Sequence, residues 1–200
     1  MGQDTFDRLQ LLDAKIALEE EHLSIAERIM DVFVSVPDDD MYDTMLSRVV
    51  LPTLKSKSGV FGYIDEHGDL ICPSMMGAAW DQCTMKDKGF IFSPDSWGGL
   101  WGKSLREKKT LWANSGLKVP EGHFPLQRAM NGPIVFRGQL LGQLLVANKD
   151  SDYTRGDADI LERICRVIAP VLYMRLQQDR IDKELADIKR QIAKGNNDDA

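Results

Sequence analysis

The side chains that promise chemistry in this 200-residue chain are few, and they cluster between residues 80 and 128. Trp80, Phe90, Trp97 and Trp101 are large aromatics in a stretch rich in Gly and Pro, joined by His123 and Arg128. A mainly apolar enclosure with a few polar groups is what a small-molecule site needs. The same aromatics also suit ordinary core packed under long loops, so both readings stand at this stage. Cys72, Cys83 and Cys165 cannot all pair within one chain, and free thiols fit a reducing cytoplasm. No CxxC occurs, and no His/Cys cluster has zinc spacing, so no metal site is expected.

Recognised catalytic signatures are missing. The chain has no GxxxxGK[ST], GxSxG or HExxH, and no glycine-rich dinucleotide fingerprint. A non-enzymatic role is therefore expected. The formal charge of −6, without a Lys/Arg-rich run, disfavours nucleic acid as a partner. No run of about 18 apolar residues exists, and the first ten residues lead into no signal-type apolar core. A cytoplasmic protein away from the membrane is the expectation.

The elements that must position these residues read as helix, compact α/β middle, helix. Leu9, Leu12, Ile16, Leu23, Ala26, Met30 and Phe33 recur in steps of three and four, with Glu19 the missing member. They predict a first helix from about Thr5 to Val36, ended by Pro37. Asp38, Asp39 and Asp40 favour a new helix start, and that second helix should fray near Pro52. SGVFGYI, DEHGD and LICPSM (58–76) read as a hairpin, and SWGGLWGKSLREKK as loop and helix before a short strand TLWAN. GPIVF, the turn RG and QLLGQLLVAN form a second hairpin, apolar enough to be covered on both faces. Thr154 and Asp157 form a capping box that opens the last helix. From Ile160 to Ile192 a 4-3 alternation runs through Ile164, Val167, Val171, Met174, Gln178, Ile181, Leu185 and Ile188. Gln178 is its polar exception, and Pro170 should kink the helix or cost one backbone bond. A sustained 3.5 period favours coiled-coil pairing. The stretch would extend roughly 50 Å, so its second half outruns the core and needs a partner, most simply a second copy.

The blocks 94–114, 120–134 and 138–170 resemble a GAF domain, the ligand-binding module of many signalling proteins, and most closely those beside histidine-kinase or diguanylate-cyclase outputs. The resemblance implies an α+β fold: a central antiparallel sheet of five or six strands, flanking long helices on one face, ligand-side loops on the other. It divides the chain into a dimerising helix (1–37), the GAF domain (38–172) and a coiled-coil extension with a frayed tail (173–200). It makes Trp80, Cys83, Phe90, Trp97, Trp101, His123 and Arg128 the expected ligand-binding residues. Asn148-Lys149, Tyr153 and Asp157 are similar to the Asn-Lys…Phe…Asp-Glu motif of cyclic-nucleotide-binding members. Tyr153 replaces Phe here, and Ala158 stands where the second acid belongs. A Lys149–Asp157 pair locking the strand–helix junction accounts for the motif without a ligand.

His123-x-Pro125 ahead of Arg128 is similar to haem-binding relatives, and equally suits a hydrogen-bonded turn, so the cofactor stays unknown. Cys83 is followed by Thr84 rather than the His of bilin-binding members. The expected function is a sensory module that homodimerises through both terminal helices and reports a small ligand to a signalling output. The alternatives are a thiol enzyme of the free methionine sulfoxide reductase type, using Cys72 or Cys83, and a ligand-free dimerisation module. His22 and His67 are expected at the surface.

Overall fold

A computed structural model describes residues 3–76, 90–119, 121, 123 and 125–198. Helix α1 (Gln3–Ser35) leads into α2 (Asp38–Thr44), a π-helical stretch (Met45–Val50) and α3 (Leu51–Leu54). Strands β1 (Ser58–Ile64), β2 (Leu70–Met76) and β3 (Ile91–Phe92) follow. Then come a 3-10 turn (Pro94–Ser96), α4 (Gly99–Glu107), β4 (Leu111–Ala113), β5 (Ala129–Phe136), β6 (Gln139–Ala147) and α5 (Arg155–Asp198). The six strands form one antiparallel sheet in the order β3-β2-β1-β6-β5-β4.

Turn chemistry sets the register of both hairpins. Between β5 and β6 the two-residue turn Arg137-Gly138 has φ of 50° and 82°, the doubly positive pair of a type I′ turn. Between β1 and β2, Asp65 Oδ1 accepts the backbone N–H groups of His67 and Asp69, and Gly68 takes φ 87°. Pro73 falls where the β1–β2 register shifts, a place where a strand tolerates a residue without an N–H.

The second helical segment runs on past Pro52 to Leu54 rather than fraying there. Pro52 removes the N–H that would reach the carbonyl of Arg48. Arg28 donates to that carbonyl instead, at 3.5 Å, and to the Thr53 hydroxyl at 3.1 Å. The π-helical stretch just before Pro52 widens the coil where the ring would otherwise clash. The segment ends in a Schellman motif, with Lys55 left-handed and Ser56 N–H bonded to Leu51 O.

One face of the sheet carries the main core. Phe61, Met130, Ile134, Leu144 and Val146 meet Ile25, Ile29 and Val32 of α1, the buried Met41, Met45, Leu46, Val49, Val50 and Leu54, and Leu161, Ile164, Ile168 and Leu172 of α5. Gly132 lets α5 come close, since a Cβ there would sit 2.8 Å from Leu161 Cγ and 3.0 Å from Cys165 Sγ. The opposite, distal face carries Val60, Ile64, Leu70, Cys72 and Leu140 under Phe92, Trp97, Trp101 and Leu105. β5 and β6 are thus covered on both sides.

Candidate functional site

The distal face is built by β1, β2, β5 and β6 from below and by α4 with its preceding turn from above. Gly102 permits α4 to fold tightly against Trp97, whose backbone carbon would lie 2.5 Å from an added Cβ. Trp97 Nε1 donates to Phe92 O at 3.0 Å, and Arg106 donates to Trp97 O at 2.7 Å. These bonds hold the aromatic group. The Phe92 and Trp101 ring centroids lie 5.8 Å apart, edge to face, and those of Trp97 and Trp101 lie 6.4 Å apart.

Polar groups share this face. Ser104 of α4 is fully buried; its Oγ lies 2.7 Å from Lys109 O and 3.1 Å from Asn131 O, and receives Asn131 Nδ2 at 3.0 Å. Asn131 lies opposite Leu145, and Gln143 lies opposite both Gly62 and Pro133. That parity points both amide side chains to the distal side. Cys72 is buried there too, and burial pushes its thiol up to about 12, so it is not a nucleophile near neutral pH.

The structure brings together only part of the expected ligand set. Trp97 and Trp101 lie on the distal face. Phe90 is 49% exposed, and its carbonyl accepts the Cys72 N–H at 2.8 Å, extending the β2–β3 edge. His123 is half-buried in the segment before β5. Arg128 belongs to another cluster, where it donates to Asp152 Oδ1 at 2.8 Å and Lys149 O at 3.3 Å. Trp80 and Cys83 lie outside the described residues. Asn131 and Gln143 lie outside the sequence-derived set, and strand register is what brings them to this face.

The motif residues build the junction between β6 and α5. Asn148 is left-handed at φ 58°, accepts Gln127 N–H at 2.9 Å and donates to Pro125 O at 3.1 Å. Lys149 Nζ lies 2.5 Å from Asp157 Oδ1, while Asp157 Oδ2 accepts the Thr154 N–H at 2.8 Å. Burial pushes the Asp157 carboxyl up, but hydrogen bonds from Lys149 and Thr154 outweigh it and hold it below the usual aspartate range. The Tyr153 hydroxyl meets Ser56 Oγ at 2.7 Å. The cluster faces the helix side, and each group has a protein partner.

His22 departs from the surface expectation. Its side chain is 11% exposed, 3.6 Å from Glu19, which also lies 3.7 Å from Arg163 of α5. The α1–α5 seam covers it. Among the described residues no three His, Cys, Asp or Glu side chains are grouped to hold a metal ion, and no helix is long and apolar enough to cross a membrane.

A six-stranded antiparallel sheet with long terminal helices on one face and a short helix with loops on the other defines the class. Residues 36–172 match the family model of the GAF domain, and the chain belongs to that family. A methyl sulfide methyltransferase-associated sensor of Methanosarcina acetivorans is 24% identical over 149 residues, 70% of this chain and 14% of that protein. The chain thus spans about a seventh of that relative. The GAF domain of an Acinetobacter phosphoenolpyruvate-protein phosphotransferase superposes with a TM-score of 0.63 at 18% identity, covering 80% of this chain and 98% of that one. The free methionine-R-sulfoxide reductase of Neisseria meningitidis, solved with its substrate, gives 0.57 at 11% identity, covering 77% and 89%. Both structural likenesses concern the fold.

Proposed function

We propose that this GAF domain is a cytoplasmic sensory module. It takes a small molecule on the distal face, pairs with a second copy through α1 and α5, and transmits occupancy to a signalling output of the histidine-kinase or diguanylate-cyclase kind. Trp97 and Trp101 form the described part of the ligand site, and Trp80, Cys83, Phe90 and His123 remain its proposed rim. Binding shifts the population between two helix arrangements.

The observation that carries this reading is the apolar stripe α5 holds off its own domain. Leu161, Ile164, Cys165, Ile168, Ala169 and Leu172 are buried, but Met174, Ile181, Leu185, Ile188 and Ile192 are 47–67% exposed at heptad spacing. Leu9, Leu12, Ile16 and Leu23 of α1 are 46–62% exposed as well. A second copy supplies a matching stripe. Sedimentation of the full chain should give a dimer, and Leu185→Glu with Ile188→Glu should give a monomer of unchanged fold. A monomeric parent chain would sink the pairing. The thiol-enzyme alternative is disfavoured on the Cys72 side by the buried, protonated state of that thiol.

A further inference from the structure

Two buried acceptors on the distal face have no partner among the described residues. Asn131 is 0% exposed and Gln143 is 3% exposed. Asn131 Oδ1 and Gln143 Oε1 accept no hydrogen bond among the described residues. Buried polar atoms are rarely left so, because an unmade bond forfeits the hydration given up on burial.

The orientation of Asn131 follows from its neighbour. Ser104 Oγ lies against two carbonyls, Lys109 O and Asn131 O, which only accept. Its one proton goes to them, so towards the Asn131 side chain it must act as acceptor. The amide nitrogen of Asn131 is thereby fixed on Ser104, and Oδ1 is turned away from it. Gln143 lies on the adjacent strand, two residues out of register with Asn131 and on the same face. Such diagonal positions are roughly 7–8 Å apart, a span that one small planar molecule bridges.

The surroundings restrict what may sit there. The buried polar residues described are Ser58, Ser74, Ser104, Thr110, Asn131 and Gln143, with no Asp, Glu, Lys, Arg or His among them. A buried charge needs a counter-charge. Phe92, Trp97 and Trp101 offer aromatic surface elsewhere on the same face of the sheet.

We infer that the distal face selects an uncharged, flat ligand whose N–H or O–H donors satisfy Asn131 Oδ1 and Gln143 Oε1. This rests on the distal face being the ligand site. It disfavours an anionic nucleotide, for which no buried cation is present among the described residues.

The test uses the full chain and three probes, phenylurea, benzamide and 2-quinolone, each beside its N-methylated analogue. Binding is read from side-chain amide NMR signals of Asn131 and Gln143. The expected result is a saturable shift with at least one N–H probe and none with its methylated partner. Gln143→Met should weaken that binding at least about tenfold. The same substitution should raise Tm without probe by about 2–4 °C, since it removes an unpaired amide. Equal binding of methylated and unmethylated probes at these residues would overturn the donor chemistry while leaving the ligand site in place. Absence of any distal-face shift with every probe would overturn both. A Tm lowered by Gln143→Met would show the amide to be structurally satisfied and overturn the inference from a second side.

Discussion

Lys149 Nζ and Asp157 Oδ1 meet at 2.5 Å across the turn that joins the last strand to the last helix, with only 14% and 12% of their side chains exposed. Asp157 also closes the capping box on Thr154, so one carboxylate ties strand, turn and helix together. Asp157→Asn should destabilise the fold by roughly 2 kcal/mol, the sum of a weakened cap and a lost charge-assisted bond. Urea unfolding at pH 7 reads this directly. The carboxyl titrates below its ordinary 3.8, so its contribution is complete above that value and is lost as pH falls through the lower, folded one. The gap between parent and variant should therefore close in strong acid.

Gly132→Ala tests how α5 is seated. The new methyl would press on Leu161 and Cys165 at 2.8–3.0 Å. Overpacking of this kind costs about 1–3 kcal/mol. Calorimetry should show a lowered Tm, and a variant as stable as the parent would mean that the helix yields freely.

Cys72 should resist alkylation at pH 8 in the folded protein and react at once in denaturant. Its thiol ionises only near 12, against 9.0 ordinarily, because burial disfavours the thiolate. As pH rises past 9 the unfolded chain loses that proton first, so stability falls across this window. Cys72→Ala should flatten part of that fall in a stability–pH profile.

Gln178 lies on the proposed dimer seam, where its Nε2 donates to Asp182 at 3.0 Å. Gln178→Leu should tighten the dimer, because an apolar group at a heptad core position favours pairing. Sedimentation equilibrium measures the change, and weaker association would take position 178 out of the seam.

What was legible in the sequence was local. Arg137-Gly138, the Thr154–Asp157 box and the heptads each act over a few residues, and strands and helices follow from them. β3 was not legible: two residues, Ile91 and Phe92, carry no periodicity, and only pairing with β2 makes them a strand. The π-helical stretch was hidden because Arg28, twenty residues before Arg48, supplies the bond that Pro52 removes. Arg128 looked like a ligand group since an arginine near aromatics suits one, but Asp152 claims it from 24 residues away. His22 lies on a helix of exposed residues, and nothing local announces that α5 covers it. Asn131 and Gln143 became visible only when strand register placed them on one face.

Asn131 and Gly132 are consecutive, yet they belong to opposite sides of the molecule. The carbonyl of Asn131 lies 3.1 Å from Ser104 Oγ on the distal side, and that of Gly132 takes the Cys165 thiol at 3.5 Å on the helix side. At this point the wall between the two faces is a single peptide thick. A shift of Asn131 towards or away from α4 would reach the Gly132 carbonyl that Cys165 bonds with no side chain in between. The long helix is in effect mounted on the back of the distal face.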